Sequence, residues 1–273
     1  MGTSIIREDY MSISKSKLIE TLEQIAPLSL AESWDNCGMQ IDLQPEAINK
    51  ILVCLEMSKD ILEEAKMKNA DFIVTHHPLY FRGLKKVDCN SVIGNYTCEL
   101  IKNNISVYSS HTSFDKAEKG NNYHLAKLLG LDDLKSFEDI STDYIGVYGI
   151  FNKPITLKAL LIKLSDVLDI PAEELRYIGD LSAAIDKIGL CTGAGVETCA
   201  IAQKIGCQVF ITGDVKHHDA VDAMEMGMNV IDAGHYGTEK IFISNMAAQL
   251  RELLGNKVEI MGAESNRNPF DFL

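Results

Sequence analysis

Three short apolar runs of this sequence lead into histidine and carboxylate side chains that could bind metal ions. These side chains belong to His76, His77, His111, Asp115, His235 and Glu239. In open α/β sheets, ligands bind outside the carboxyl ends of the strands, so we expect these residues to contribute to one metal site. Imidazole and carboxylate donors without cysteine suit two divalent first-row ions, such as Zn, Mn or Fe, better than a closed structural zinc.

His76 and His77 are adjacent and follow Phe72–Thr75, which has the composition of a short strand. Successive side chains diverge in an extended chain, so we expect each histidine to reach a different ion of a pair. Pro78 restricts the residue before it to extended conformations and would stiffen this segment. The alternative is that both are ordinary structural histidines at a strand end.

His111 and His235 each precede an acid by four positions, Asp115 and Glu239 respectively. A carboxylate has two oxygens and can bridge two ions, and Glu239 is our candidate for that bridge. The glycines around His235 indicate that this histidine lies in a turn and that Glu239 lies in the first turn of a helix. The alternative for both acids is ordinary placement near a helix N-terminus, where the helix dipole favours negative charge.

Several further residues are candidates for roles around the metal site. His111 is the candidate for proton transfer, because neutral imidazole titrates near physiological pH. His218 and Asp214 are candidates for substrate contact or for support of the metal ligands, and a solvated helix start is the alternative for His218. His124 lies within a helical pattern and is predicted to be structural. Trp34–Gln40, which holds the only tryptophan, indicates an aromatic anchor and a turn into an edge strand.

Strand-like and helix-like segments alternate along the chain, and one unit of them recurs. The patterns of strand, helix and strand lie at Ile51–Leu55, Ser58–Lys68 and Phe72–Thr75. Such a β-α-β unit implies a parallel pair of strands with a right-handed crossover. The stretch Ile51–Thr75 aligns without a gap with Ile188–Thr212, and Ile105–Tyr108 resembles Met228–Ile231. A chance similarity between β-α-β units is the alternative to a true internal repeat.

The repeat predicts an α/β fold with two pseudo-repeated lobes. We place the first lobe at residues 1–140 and the second at residues 141–273. A strand over Tyr144–Phe151 and a helix over Leu157–Leu168 are predicted near the start of the second lobe.

Composition limits the class of protein. A net charge of −13 at pH 7 weighs against a nucleic-acid binder, which needs a basic face for phosphates, although a local basic pocket for a small anion is compatible with it. No apolar run is long enough to cross a membrane. The seven cysteines contain no C-x-x-C pair, and we interpret them as reduced core residues of a cytoplasmic protein.

Five motifs together resemble one known family, the NIF-three-like proteins, also called GTP cyclohydrolase 1 type 2 homologues. The motifs are Trp34–Gln40, Thr75–Pro78, Ser110–Asp115, Thr212–Asp214 and Gly234–Glu239. They occur in the family's order, and the similarity extends from about Lys15 to Phe270. Met39 stands where many members have leucine, which is an apolar exchange.

The resemblance implies a three-layer α/β/α subunit with two similar lobes, in the compact form without the inserted domain that some members carry. It also implies a toroidal homohexamer with two metal ions per subunit. The family's metal ligands correspond here to His76, His77, Asp115, His235 and Glu239, and each position has the expected residue type.

Two classes of function follow from the resemblance and stay open at the level of sequence. A paired-metal site can activate water and bind an anionic leaving group, which favours hydrolysis of a nucleotide-like or phosphoester substrate. The other class is a non-enzymatic protein, either one that binds and handles metal or a ring-shaped interaction scaffold. Rapid, reversible loss of metal without turnover would favour this second class.

Overall fold

A computed structural model describes residues 12–43, 47–142 and 144–272 of the chain. The chain forms two compact units. Unit 1 comprises residues Met1–Phe114 and Phe242–Asn266, and unit 2 comprises Asp115–Ile241 and Arg267–Leu273. The chain continues from unit 1 into unit 2 within the short helix α4 (Thr112–Lys116), and it returns to unit 1 within α10 (Ile241–Leu254).

Unit 1 contains a five-stranded sheet with helices in its connections. Its elements are β1 (Ile13–Ser14), α1 (Lys15–Ile25), β2 (Gly38–Ile41), β3 (Ala47–Ile48), β4 (Lys50–Cys54), α2 (Lys59–Lys68), β5 (Phe72–Thr75), α3 (Val92–Lys102), β6 (Ser106–Ser109), most of α10, and β13 (Glu259–Gly262). The strand order is β13-β4-β5-β6-β2; the first four strands are parallel, and β2 is the antiparallel edge strand. The strands β1 and β3 form a separate antiparallel pair.

Local sequence explains the crossover between β4 and β5. The Ser58 side chain accepts a hydrogen bond from the backbone N–H of Ile61 and so begins α2, as a helix N-cap does. Asn69 ends α2 in the left-handed conformation (φ 53°), which asparagine tolerates better than most residues. Leu52 of β4 and Ile73 of β5 pack against α2 and α3, while their neighbours along each strand are buried on the other face.

Unit 2 contains a six-stranded mixed sheet. Its elements are α5 (Asn121–Leu128), β7 (Asp132–Ser136), β8 (Val147–Thr156), α6 (Leu157–Leu168), β9 (Arg176–Ile178), β10 (Ala184–Ala194), α7 (Cys199–Lys204), β11 (Val209–Gly213), α8 (His217–Glu225), β12 (Asn229–Asp232) and α9 (His235–Glu239). The strand order is β7-β8-β10-β11-β12-β9, with β10, β11 and β12 parallel and β8 and β9 antiparallel beside them.

Alternation along β11 gives unit 2 three layers. Val209 and Ile211 belong to a core cluster that includes the apolar side of α6, with Leu160 and Leu164. Phe210, between them, belongs to a second cluster that includes residues of α7 and α8. Side chains of successive strand residues point to opposite faces, so helices cover both faces of this sheet. The predicted α/β class with layered helices is confirmed.

The internal repeat is seen in the strand pairing, because equivalent residues pair in the same register within each of the two units. The matching pairs are Ile51 with Phe72 and Ile73 with Val107 in unit 1, and Ile188 with Val209 and Phe210 with Val230 in unit 2. Each set corresponds to the sequence alignment residue by residue. The strands β4, β5, β6 and β2 of unit 1 therefore correspond to β10, β11, β12 and β9 of unit 2, including the antiparallel last strand.

Two boundaries differ from those predicted. The strand predicted over Tyr144–Phe151 is Val147–Thr156 and passes through Pro154. Pro154 lies in the stretch where the pairing with β10 shifts register, so its missing N–H is not needed by the regular ladder. The units divide at Phe114 rather than near residue 140, because β7 pairs with β8 in the unit 2 sheet. By contrast, the helix Leu157–Leu168 has the predicted bounds.

Two cysteines differ from the expected reduced state. Cys89 and Cys98 form a disulfide bond, whereas Cys54, Cys191 and Cys207 are unpaired and buried, as predicted. The sequence spacing did not indicate this pair, because Cys89 lies in a loop and Cys98 in a helix. Among the described residues, no helix combines the length and the apolar character that a membrane crossing would need.

Candidate metal centre

Three imidazole rings converge at the carboxyl ends of β5 and β6 in unit 1. His76, His77 and His111 each offer a ligand nitrogen, and these nitrogens lie within 4.8 Å of one another. The ring centroids of the adjacent pair His76 and His77 are 5.2 Å apart. The expectation that these two side chains diverge is wrong, because β5 ends at Thr75 and the chain bends at the two histidines.

Hydrogen bonds fix the orientation of the first two rings. The Nδ1 hydrogen of the buried His76 donates to the backbone carbonyl of Ser110 over 2.9 Å, and a carbonyl oxygen can only accept. The Nδ1 of His77 is 2.9 Å from Oε2 of Glu56. Both contacts favour the tautomer in which Nε2 carries the lone pair that a metal ion requires. Glu56 lies two residues past β4, and no sequence motif identified it.

The third ring, His111, is held by a buried carboxylate. Its Nδ1 donates to Oδ1 of Asp35 over 2.9 Å, and the Asp35 side chain is fully buried. Thr112 donates to the other Asp35 oxygen through its backbone N–H. Burial by itself opposes ionisation of Asp35, but the hydrogen bonds from His111 and Thr112 outweigh it and hold the Asp35 pKa well below its usual range. The carboxylate therefore stays charged beneath the imidazole.

A second donor group lies on α9 in unit 2. The Nδ1 of His235 is 2.8 Å from Oδ2 of Asp214, and its Nε2 is 3.0 Å from Oε2 of Glu239. Both residues lie within the helix, which begins after Gly234 (φ 74°), so they share one helix face at a spacing of four. The expectation that His235 precedes the helix is wrong by one residue. Asp214 supports His235 directly, while its contact with substrate stays a prediction.

Gly193 makes room for the Glu239 carboxylate. A Cβ atom at this position would lie 2.1 Å from Oε1 of Glu239, and the backbone φ is +69°. The Gly193 N–H also donates to Oγ1 of Thr238, in the turn before the carboxylate. Only glycine satisfies both the conformation and the close approach. Nothing in its sequence neighbourhood distinguished Gly193 from other loop glycines.

Asp115 is placed by a network within unit 2. The Asn122 side chain donates to the backbone carbonyl of Asp115, and the backbone N–H of Thr192 donates to Asn122. Burial raises the pKa of the Cys191 thiol strongly, and the charges of Asp115 and Glu239 raise it further. The thiol therefore stays protonated and is a poor metal ligand.

The remaining predicted residues have other surroundings. His218 lies exposed in the first turn of α8, with its ring 5.4 Å from that of His217. His124 is half-buried in α5, and burial lowers its pKa, which agrees with a structural role. Trp34, which was predicted to be an aromatic anchor, is 60% exposed, and β2 is the predicted edge strand.

Comparison with known proteins identifies relatives along nearly the whole chain. A family model described as Duf34/NIF3 (NGG1p interacting factor 3) matches residues 13–269. A protein of Clostridium perfringens named GTP cyclohydrolase 1 type 2 homolog is 32% identical over 259 residues, which cover 94% of this chain and 98% of that protein. A protein of Helicobacter pylori named GTP cyclohydrolase 1 type 2 is 33% identical over 258 residues, with the same coverage.

Solved structures show the same fold. A hypothetical protein of Staphylococcus aureus superposes with a TM-score of 0.83 at 27% sequence identity, covering 97% of this chain and 100% of that one. The similarity thus includes both units and the strand ends that carry the histidine and carboxylate residues.

Proposed function

Because the chain belongs to the Duf34/NIF3 family, we propose that it is a metal-dependent hydrolase that acts on a nucleotide-like or phosphoester substrate. In this proposal two divalent ions, Zn, Mn or Fe, are bound by a shared set of five ligands, with Glu239 as the bridge. The ligands are His76, His77, Asp115, His235 and Glu239. The assignment of all five to one pair of ions rests on the family resemblance.

One observation carries the metal proposal: every histidine of the two donor groups is held by an oxygen acceptor at Nδ1. The acceptors are Ser110 for His76, Glu56 for His77, Asp35 for His111 and Asp214 for His235. Metal-ligating histidines donate their second ring nitrogen in this way, which fixes the tautomer and raises the basicity of the ligand. Three of the four acceptors are carboxylates, the commonest partners of metal-ligating histidines together with backbone carbonyls.

The donor chemistry fits the proposed ions. Imidazole and carboxylate suit Zn, Mn and Fe, and the protonated Cys191 thiol does not compete for them. When bound, such ions activate water and stabilise negative charge on a reacting substrate.

The other roles belong to residues around the ligands. His111 transfers a proton at Nε2, and Asp35 holds the ring so that this atom faces away from the carboxylate. The structure also groups His111 with His76 and His77, so it is a candidate ligand as well. His218 and Asp214 are proposed to contact the substrate, which is small and anionic. The subunits are proposed to assemble as a homohexamer in the cytoplasm.

The experiment is metal analysis followed by a hydrolysis screen on the same preparation. We expect about two ions per chain after reconstitution with Zn, Mn or Fe, because five ligands exceed the need of one ion. The relative from Helicobacter pylori makes GTP the first substrate to test. His124→Asn is the matched control, since this histidine lies outside both donor groups, and it should keep both metal and turnover.

The variant His111→Asn separates the two possible roles of that ring. A proton-transfer residue contributes on the order of 10²–10⁴-fold to turnover, so the variant should keep its metal but lose most activity. Loss of metal in the same variant would make His111 a ligand instead. Metal binding by the wild type without turnover of any nucleotide or phosphoester would favour the metal-handling protein, and a monomer in light scattering would remove the hexamer.

A further inference from the structure

Two exposed aromatic side chains border the imidazole group of unit 1. Trp34 is 60% exposed and Phe81 is 58% exposed, and their ring centroids are 6.1 Å apart. The His111 ring contacts both, with its centroid 6.3 Å from Trp34 and 6.4 Å from Phe81. These distances are typical of aromatic contacts, so the three rings form one surface, which we call the aromatic platform.

The backbone beneath the platform is held in place by Trp34–Gln40. The Asn36 side chain donates to the backbone carbonyl of Tyr80 over 2.8 Å, and Oε1 of Gln40 accepts from the Tyr80 N–H over 3.2 Å. Tyr80 is the neighbour of Phe81, so these bonds fix the chain that carries the Phe81 ring. The motif therefore positions two aromatic side chains that remain exposed to water.

The chain just after Phe81 is basic. Residues 82–86 read Arg-Gly-Leu-Lys-Lys, and all are exposed. Lys86 pairs with Asp88 at 3.2 Å, while Arg82 and Lys85 lie in the same five-residue segment, which itself contains no acid. In a chain with a net charge of −13, three cations within five residues provide a local complement for an anionic group.

We propose that the aromatic platform binds a planar heteroaromatic base that carries an anionic group, as a nucleotide does. The base stacks on Trp34 and Phe81 beside His111, and the anionic group lies near Arg82 and Lys85. Stacking on aromatic side chains tolerates any base, so the platform selects a chemical class rather than one base. The inference rests on the proposed function and specifies the substrate class of the same site.

The only tryptophan of the chain is a built-in probe of this platform. We would titrate guanosine, GMP and ribose 5-phosphate into the protein while recording Trp34 fluorescence, once with metal bound and once after treatment with a chelator. Guanosine and GMP should quench the emission with saturation, and GMP should bind more tightly. Ribose 5-phosphate, which lacks a base, should leave the emission unchanged.

Phe81→Ala keeps the probe and removes one stacking ring. The affinity for guanosine and GMP should fall roughly 5- to 150-fold, the range expected for one base–aromatic contact. Met67→Ala is the matched control, because Met67 is likewise an exposed apolar residue, at the end of α2, and it should not change either affinity. The double variant Arg82→Gln/Lys85→Gln should weaken GMP binding and leave guanosine binding unchanged.

Three results would overturn the inference. The first is no saturable quenching by guanosine or GMP up to about 1 mM, which corresponds to only weak binding. The second is equal quenching by ribose 5-phosphate. The third is that Phe81→Ala loses its oligomeric state in light scattering and that added ligand does not change this result. The platform would then be an interface between copies of the chain. Quenching that persists while metal binding or hydrolysis fails would keep the platform and reject the proposed function.

Discussion

The two units share a three-strand core in the same register but differ at its carboxyl edge. In unit 1, β5 runs into His76 and His77, and at the equivalent place in unit 2, β11 ends in Gly213 followed by Asp214. A Cβ atom at Gly213 would lie 2.6 Å from the backbone of Gly234, so the start of α9 packs directly on the strand end. Unit 2 therefore has no room for a side chain at this position, and its candidate ligands His235 and Glu239 lie on α9 instead.

The equivalent positions also exchange roles. His111 and His235 follow the third strand of each core, and each donates Nδ1 to a carboxylate. In unit 2 that carboxylate is Asp214, whose counterpart in unit 1 is His77. In unit 1 it is Asp35, which comes from the segment before the edge strand. The repeated backbone thus places polar side chains at equivalent positions in the two units. The residue type at each position then differs, being a candidate metal ligand in one unit and a residue that supports a histidine in the other.

The largest effect should come from Glu239 of unit 2, the proposed bridging carboxylate. Glu239→Gln removes a charged oxygen from the proposed shared ligand, so both ions should be lost, a greater change than the roughly 10- to 100-fold cost of losing a supporting residue. Elemental analysis after reconstitution measures it. Glu225→Gln, at the exposed end of α8, is the control. Retention of both ions in Glu239→Gln would reject the bridge.

The next largest effect on metal affinity should come from Gly193, which lies against the Glu239 carboxylate in unit 2. Gly193→Ala should displace the Glu239 side chain and lower metal affinity roughly 10- to 100-fold without changing any ligand. Gly206→Ala is a matched control, because Gly206 also has a positive φ (+87°) but nothing within 4 Å of the new Cβ. Both variants should lose about 1–2 kcal/mol of stability from backbone strain, and equal metal affinities would show that the close contact is unimportant.

Comparing Asp35→Asn with Asp214→Asn tests whether the two supporting carboxylates are equivalent. The Asp35 side chain is fully buried, whereas that of Asp214 is 53% exposed. Asp214 supports the proposed ligand His235, whereas Asp35 supports His111, so Asp214→Asn should lower metal affinity roughly 10- to 100-fold, and Asp35→Asn should lower turnover with the metal retained. Isothermal titration with Zn and a turnover assay on the same preparations measure both, and loss of metal in Asp35→Asn alone would contradict the comparison.

The smallest effect concerns the outer strand of unit 1, which follows α10 near the C-terminus. Glu64 accepts hydrogen bonds from Lys68 and from the backbone N–H groups of Glu264 and Ser265, just after β13. Burial opposes ionisation of Glu64, but these bonds outweigh it and lower its pKa to about 2. Glu64→Gln should reduce the free energy of unfolding by about 1–3 kcal/mol at neutral pH without changing metal content.

The pH dependence of that loss follows from the direction of the shift. Because the pKa of Glu64 is lower in the folded protein than its ordinary value of 4.5, its contribution is complete above that pH and disappears as the pH falls towards 2. Chemical denaturation of wild type and variant at several pH values should therefore converge on acidification. Glu63→Gln, with its exposed side chain, is the control, and a difference independent of pH would reject the carboxylate's role.

Local patterns were sufficient to predict the repeated core. Apolar β-branched runs and the Ser58 cap define β4, α2 and β5, and the ungapped alignment gives the register of both units. The ligand candidates followed from residue types at strand ends. The convergence of His76 and His77 did not, because it depends on where the strand stops, and strand ends are decided by packing as much as by sequence.

Contacts between distant residues could not be predicted from the sequence. Asp35 and His111 are 76 positions apart, and the hydrogen bond between them depends on β2 pairing with β6. Gly193 matters only because Glu239 lies above it, which a sequence does not record. Trp34 belongs to a motif that was identified, yet its contact with Phe81, 47 positions away, is not visible in the sequence.

The path of the chain through the two units has a consequence for synthesis on the ribosome. Apart from its last few residues, unit 2 is continuous in sequence, from Asp115 to Ile241, whereas unit 1 needs α10 and β13 to complete its sheet. Domains commonly fold in order from the N-terminus as they emerge. Here the β4 edge stays open until Glu259–Gly262 is made, so the unit that begins first completes its sheet after the other unit has completed its own.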